Sequence, residues 1–448
     1  MRYYFVFLFL LTAVFPSSAQ QTDSISFNLS LKEAIDYSQS HQNAILNATL
    51  DAEIAKNTVK QTIAIGLPQI SGNANFQDFI KIPTSLLPGE IFGQPGVQIP
   101  VQFGVKYQSL VGLELNQLIF DGSYLVGLQA AKTFKELSNK NLRRTRIETE
   151  VAVSKAYYSV LVSNEQLLLL EANFSRLKKS LNDTEALFKN GFVEKIDVDR
   201  LRVLNNNLET ERENVIELLK LNVNLLKFQM GMPIQTPLKL SDSIDSLQGL
   251  VQTALPAQID TNAFQNRIEY SLLQTQRSVN QFDLKRYKSQ FLPSLSGFAS
   301  TSQSFQADKF PTLFNQNFPS TVVGLRLSVP ILSGGQKLYQ VRIAKLVVEK
   351  TDNDLINLKN GINLEIAQAQ TSYINGVRSL ENQKRNMQLA TEVLRVSKIK
   401  YEQGVGSSIE VTTSETSLKE AQNNYITALF DLLINKVNLD RASGKITY

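Results

Sequence analysis

The sequence predicts a mainly α-helical protein with a small β part, built twice from one unit, and three observations predict it. The two halves of the chain match at a nearly constant offset of about 213 residues, far longer than a solenoid period and therefore a single duplication. Each half holds one long helical stretch without proline, from about Gly122 to Asn190 and from about Gly335 to Gln403. Each half also carries two short strand-like runs just before that stretch.

The duplication is read from paired segments. Gly66-Leu67-Pro68-Gln69-Ile70-Ser71-Gly72 returns in outline as Phe291-Leu292-Pro293-Ser294-Leu295-Ser296-Gly297, and Val111-Gly112-Leu113-Glu114-Leu115 as Val323-Gly324-Leu325-Arg326-Leu327. Ile119-Phe120-Asp121-Gly122 returns as Ile331-Leu332-Ser333-Gly334, Phe188-Lys189-Asn190-Gly191 as Tyr401-Glu402-Gln403-Gly404, and Gly231 as Gly444. The expected organisation is an export signal over 1–19, a first repeat over 20–231, a linker over 232–261 and a second repeat over 262–448.

The signal is read from Arg2, the apolar run Tyr3 to Phe15 and the small residues Ser17-Ser18-Ala19 before Gln20. That run is shorter than the roughly 20 residues that span a bilayer, which favours a cleaved signal over an anchor. No other segment is a continuous apolar run of spanning length. Any insertion into lipid would then have to use β-strands closed into a barrel.

Each repeat opens with a helical segment, Leu31 to Ile65 and Asn262 to Gln290, ended near a proline. In the second strand of each half, Val111, Leu113 and Leu115 alternate with Gly112, Glu114 and Asn116, and Val323, Leu325, Leu327 and Val329 with Gly324, Arg326 and Ser328. Period-two alternation gives one apolar face and one wet face. A soluble sheet with one wet face would show the same pattern. Between paired strands lie Gln77 to Lys106 and Gln306 to Pro319, which hold Pro83, Pro88, Pro95, Pro100, Pro311 and Pro319 and read as long irregular loops.

At 1.5 Å per residue each long helix would extend about 100 Å. Leu167, Phe174, Leu181 and Phe188 recur every seventh residue, as do Leu380, Met387, Leu394 and Tyr401, which is the spacing of a coiled coil. Upstream the phase shifts to Ile147, Val151, Ser154, Tyr158 and Leu161, as at a stutter. Gly191 and Gly404 cap these helices, and a second helix then runs back to Gly231 or Gly444, so each half ends in a tall antiparallel hairpin. Met232 to Thr261, with prolines and Ser-Asp pairs, reads as a linker with a short helix.

Composition excludes several functions. The chain has no cysteine, so disulfides, thiol catalysis, cysteine-ligated zinc and an acylated N-terminal cysteine are all out of reach. A net charge of +5 spread over 448 residues gives no nucleic-acid footprint. The only histidine is His41, in a polar helical stretch, so histidine triads and zinc clusters lack material. Asp197-Val198-Asp199 is an acid pair without a phosphate loop or further ligands beside it. No cofactor and no enzymatic activity are expected.

Four strands per chain are too few for a membrane barrel, since the smallest need about eight. Closure must come from several copies in cyclic symmetry, and strand counting leaves two, three or four open.

With the duplication, the junctions Gln117-Leu118-Ile119-Phe120-Asp121-Gly122 and Val329-Pro330-Ile331-Leu332-Ser333-Gly334-Gly335, and the aromatic-x-x-Gly hairpin tips in place, the chain resembles the TolC-like outer membrane efflux protein family. The resemblance covers essentially everything after the signal. It implies a homotrimer with a twelve-stranded β-barrel in outer membrane lipid, continued by a long periplasmic α-helical barrel. It implies docking of the tips onto a periplasmic adaptor protein, which links them to an inner membrane pump or ABC exporter. Efflux of small toxic compounds is the role it favours, with protein secretion as the alternative and an exported coiled-coil scaffold as the rival outside the family. The chain's four methionines and single histidine give no metal-rich tract.

The resemblance also assigns residues. The adaptor-contact tips would be Gly191, Phe192 and Val193 with Gly404, Val405 and Gly406. At the periplasmic gate, Glu410 would sit in a ring of like charges that attracts cations, and Tyr401 would hydrogen-bond Asp197 of the neighbouring hairpin. Glu114, Asn116, Arg326 and Ser328 would face the lumen. Without the resemblance, Gly191 and Gly404 simply cap helices, and Asp197 and Glu410 sit near helix N-termini whose dipoles favour acids. Two positions depart from the family pattern: Thr413 stands where a second acid is usual, and Gly406 where an arginine is usual. A less charged, less firmly held gate follows.

Overall fold

The computed structural model describes residues 27–244 and 263–448. The expected signal over 1–19, the first residues of the first repeat, 20–26, and residues 245–261 of the expected linker lie outside the described residues. In chain order the elements are β1 (Phe27–Leu29), α1 (Leu31–His41), α2 (Asn43–Ile65), β2 (Gln69–Asp78), β3 (Thr84–Pro88), β4 (Gln98–Gln102), β5 (Tyr107–Phe120), α3 (Gly122–Lys189) and α4 (Lys195–Met230). They continue as β6 (Leu238–Leu240), α5 (Ile268–Ser289), β7 (Ser294–Ala307), β8 (Asn317–Ser328), α6 (Gln336–Glu402) and α7 (Ser408–Ala442).

The two long helices run for 68 and 67 residues, α3 and α6, within a residue of the proline-free stretches. Asp121 starts α3 by accepting a hydrogen bond from the Tyr124 amide at 2.9 Å, which satisfies one of the first-turn donors. Gly122 is closely packed: a Cβ there would stand 2.9 Å from Leu292 Cδ1 and 3.3 Å from the Ser289 carbonyl oxygen. α4 and α7 return along α3 and α6 as the two hairpins.

In the first hairpin the heptad positions Leu167, Phe174 and Leu181 form only half of the seam. Leu170 and Leu177 supply the other half, packing on Val198, Leu201, Leu208 and Val215 of α4. In the second, Leu394 meets Val411 and Leu418. The upstream phase shift is real, with Val151, Ser154 and Leu161 all buried. There both hairpins merge into the main core, where Tyr157, Leu226, Met230, Leu429, Leu432 and Leu433 are fully enclosed. Each such side chain contributes about 1.5–3 kcal/mol from lost water contact.

Three elements differ from expectation. The opening helices are broken, α1 from α2 at Gln42 and α5 from a preceding turn at Arg267. In each case the break receives the end of a return helix. Gln42 Nε2 donates to the carbonyls of Phe228 and Gln229 at the end of α4, and buried Arg267 donates to the Ala442 carbonyl at the end of α7. The left-handed Gly231 (φ 74°) and Gly444 (φ 68°) lie against the same breaks. A continuous helix would leave these terminal carbonyls without donors.

The linker supplies a strand, since β6 pairs in parallel with β1. Asp242 follows it and accepts from the Tyr157 hydroxyl at 2.9 Å and the Leu31 amide at 2.8 Å. Burial, and then the bond to Asp242 and its charge, raise the Tyr157 pKa beyond its usual range. Finally, Gln77 to Lys106 is not irregular, because β3 and β4 pair as an antiparallel hairpin within it.

Candidate functional site

β2, β5, β7 and β8 form one antiparallel sheet in the order β2-β5-β7-β8, which interleaves both repeats. Partners across an antiparallel ladder share a face. Asn116 pairs Gln69 and Phe298, Glu114 pairs Ser71 and Ser300, Ser296 pairs Arg326, and Ser294 pairs Ser328. All four expected lumen residues, Glu114, Asn116, Arg326 and Ser328, therefore lie on one face. The first strand of each half extends that face with Asn73, Asn75 and Gln77 and with Ser302, Ser304 and Gln306. Sequence reading had used only the second strands, although the Ser-x-Ser run of β7 is a plain alternation.

The opposite face carries Ile70, Ala74, Val111, Leu113, Leu115, Ala299, Val323, Leu325 and Leu327. At its far end Phe76, Tyr107 and Phe310 contact one another at ring centroid distances of 5.8 to 6.3 Å. Such an aromatic edge beside an apolar band is the pattern of a barrel strand set at a lipid–water boundary. Among the described residues no helix is long and apolar enough to cross a membrane.

β2 and β8 are both free edges. The helices below repeat this arrangement: α2 packs on α3, α3 on α5 and α5 on α6, so α2 and α6 lie at the margins. Leu46, Leu50 and Ile54 form an exposed stripe on α2, and Tyr339, Ile343 and Leu346 another on α6. One margin of the subunit thus carries β2 and α2, the other β8 and α6.

At the other end of the molecule the two tips have the same construction. Gly191 (φ 77°) and Gly404 (φ 75°) are left-handed, and the next amides, of Phe192 and Val405, donate back to the carbonyls of Leu187 and Lys400 at 3.0 Å each. This is the helix-ending turn that glycine favours. It leaves Phe192 77% and Val405 79% exposed, one apolar side chain at each apex, while Val193 is half-buried. Gly406 is a glycine for packing reasons, since a Cβ there would stand 3.0 Å from Lys400 Cβ and the Tyr401 amide.

The residues expected at the gate are brought together differently from expectation. Asp197 accepts from Ser408 Oγ at 2.5 Å and from Arg200 at 3.4 Å, so its hydrogen bond to the other hairpin goes to Ser408 and not to Tyr401. The Tyr401 hydroxyl is enclosed beside Thr184 and makes no hydrogen bond to Asp197. Burial, and then the charge of Asp197, push its pKa up. Glu410 lies in the first turn of α7, where its amide donates to Ser407 Oγ at 3.2 Å and its carboxylate pairs with Lys400 at 3.2 Å. Thr413 lines a cavity of about 480 Å³ between α4 and α7, with Ile196, Asp199, Val203 and Thr412. A second cavity of about 750 Å³ lies between α3 and α6, lined by Arg176, Phe192, Lys398, Tyr401 and Gly406. Asp199 pairs with Arg202 instead of turning to Asp197.

Sequence reading missed the strongest link between the hairpins. Glu415 on α7, only 9% exposed, takes both Arg176 of α3 at 3.1 Å and Lys398 of α6 at 2.8 Å. Arg176 also donates to Asn173, which donates to Gln422 on α7 at 2.6 Å. Lys419 of α7 pairs with Glu211 of α4. A charge inside the heptad seam was the available signal: Glu415 lies four residues after Val411 and three before Leu418, both in that seam.

The subunit is a two-faced sheet with open edges standing on tall helical hairpins. The sequence profile described as "Outer membrane efflux protein" matches residues 34–219 and 271–445, and the chain belongs to that family. It is therefore an outer membrane channel protein with a large periplasmic helical part, and not an enzyme. Among relatives, the proteases secretion protein PrtF of Dickeya chrysanthemi is 20% identical over 75% of this chain and 72% of its own. The outer membrane protein TolC of Escherichia coli is 21% identical over 75% and 69%. The fold is that of the solved CusC channel, with a TM-score of 0.77 at 17% identity over 95% of each chain.

Proposed function

We propose that three copies close into the outlet duct of a tripartite efflux pump, which passively conducts small toxic compounds from an inner membrane pump and a periplasmic adaptor to the outside. The observation that carries the duct is the pairing of open margins, β2 with α2 on one side and β8 with α6 on the other. Unlike edges on opposite sides of a subunit meet head to tail, and such contacts close into a ring when the rotation between copies divides a full turn. Three copies give twelve strands, enough for a barrel. The face bearing Glu114, Asn116, Arg326 and Ser328 would line the lumen. The apolar face would meet lipid. In this reading residues 1–19 are removed on export and the flanking repeats begin at 20 and 262.

The tips, through Gly191, Phe192, Val193, Gly404, Val405 and Gly406, would meet the adaptor, and their exposed apexes support that role. The gate consists of Asp197, Tyr401 and Glu410 together with Ser408 and the Arg176–Glu415–Lys398 cluster. The free energy for transport comes from the inner membrane partner, and the duct needs no cofactor.

A second reading, the outlet of a type I protein secretion system, is supported by PrtF, named for protease secretion. Deleting the gene separates the two. Increased drug susceptibility with normal secretion supports efflux, and lost secretion with unchanged susceptibility supports the second reading. The detergent-extracted mass and single-channel conductance test the duct itself, and a non-conducting single-copy species would overturn it.

A further inference from the structure

The β3–β4 hairpin has no role in the duct as described, and it occurs in one repeat only. It lies between β2 and β5 at the end of the sheet away from the helices, joined to the ladder by the Phe79 amide donating to the Lys106 carbonyl at 2.8 Å. Its tip is tightly built. The Gly89 amide donates to the Val97 carbonyl at 2.7 Å, and the Gln94 amide to the Gly89 carbonyl at 2.9 Å. A Cβ on Gly89 would stand 2.3 Å from the Gln94 carbonyl oxygen and 2.5 Å from that of Val97, so only glycine fits.

This ordered tip is apolar and uncovered. Ile80 is 93%, Ile91 67% and Leu86 62% exposed, and Val97 and Phe103 are exposed as well. A cluster of large apolar side chains in water marks a contact surface. From Phe79 to Val105 the only charged residues are Lys81 and Glu90, and Glu90 turns its carboxylate back to the Gly96 amide. Copies of the hairpin would therefore meet with little charge repulsion.

Reach identifies the occupant. Twelve strands at about 4.8 Å spacing and a tilt near 40° close into a barrel of radius about 12 Å. β3 alone spans five residues, about 17 Å at 3.4 Å each, before its stem and tip are added. The hairpin is longer than the distance from the wall to the axis. We propose that the β3–β4 hairpins of the ring's copies lean over the outer mouth and pack on one another through Leu86, Ile91 and Val97, forming an apolar cap on the duct. This inference rests on the ring reading.

The absence of cysteine makes the test clean. Full-length Ile91→Cys and Val97→Cys proteins are made separately in a Gram-negative host and treated in the outer membrane with a short bismaleimide. The mass of the untreated, detergent-extracted protein is measured in parallel. The cap predicts linked copies at both positions and a several-fold fall in single-channel conductance after linking. No link at either position in a protein of ring mass overturns the cap and leaves the ring standing, as does a link that leaves conductance unchanged. A single-copy mass overturns the ring reading, and the cap with it.

Discussion

Glu415 shows how one side chain can hold two hairpins. It is enclosed between two cations from different helices, Arg176 and Lys398, so removing its charge leaves both unpaired. Glu415→Gln is expected to loosen the hairpin contact by about 2 kcal/mol, below the 3–5 kcal/mol of a fully buried pair because Arg176 remains a third exposed. The readout is a higher open probability in single-channel recordings with the helical content unchanged. Tyr401→Phe makes the opposite case. Its hydroxyl makes no bond to the other hairpin's Asp197, so the substitution should leave opening nearly unchanged, whereas Ser408→Ala should raise it by removing the bond to Asp197.

Among the elements, the helix ends divide into two kinds. Gly191 is left-handed with nothing near its missing Cβ, while Gly231 is left-handed with the His41 carbonyl 2.4 Å from where a Cβ would lie. Gly191→Ala should cost about 1 kcal/mol from backbone strain alone. Gly231→Ala should cost at least twice that, read as a larger drop in thermal midpoint. The two break caps differ in their response to acid. Arg267 holds Glu269, whose carboxyl is half-buried yet kept below the usual glutamate range by that pairing, with Glu365 and Arg441 alongside. A depressed carboxyl pKa contributes stability above the unfolded value and loses it as pH falls through the folded one. Below about pH 4 amide exchange at the end of α7 should therefore accelerate before that at the end of α4, where Gln42 carries no titrating group.

At this same scale the limits of sequence reading have physical causes. The long helices were legible because proline, glycine caps and heptads act locally. The breaks at Gln42 and Arg267 were not, because each exists to receive a helix end almost two hundred residues away in sequence. The β3–β4 hairpin was hidden by its prolines, which lie at its ends and on free edges where no amide donor is needed. The partner expected for Asp197 changed because Ser408, the first residue of α7, reaches it first.

For the whole molecule the margins decide the assembly. Leu50→Glu with Ile54→Glu places two charges on the exposed stripe of α2 without touching its own core. If that stripe meets α6 of the next copy, the double variant should be exported but recovered as single copies, with conductance lost. Wild-type ring mass in the variant would remove α2 from the interface. The sheet faces were legible from alternation, while the subunit margins emerged only when the strand order placed β2 and β8 at the edges.

The twin hairpins also act as a matched pair of rulers. Their return helices differ by one residue in length, 36 against 35, and they are pinned to each other near the tip by Asp197–Ser408 and Arg176–Glu415. Losing one residue from each arm of one hairpin alone would offset its tip by about 1.5 Å and turn its seam by about 100°, pulling those contacts apart. A change in the distance the duct spans is therefore open to this lineage only as coordinated insertions or deletions of about seven residues in all four arms, which keep the seam in phase. The duplication that built the chain has become a constraint on its height.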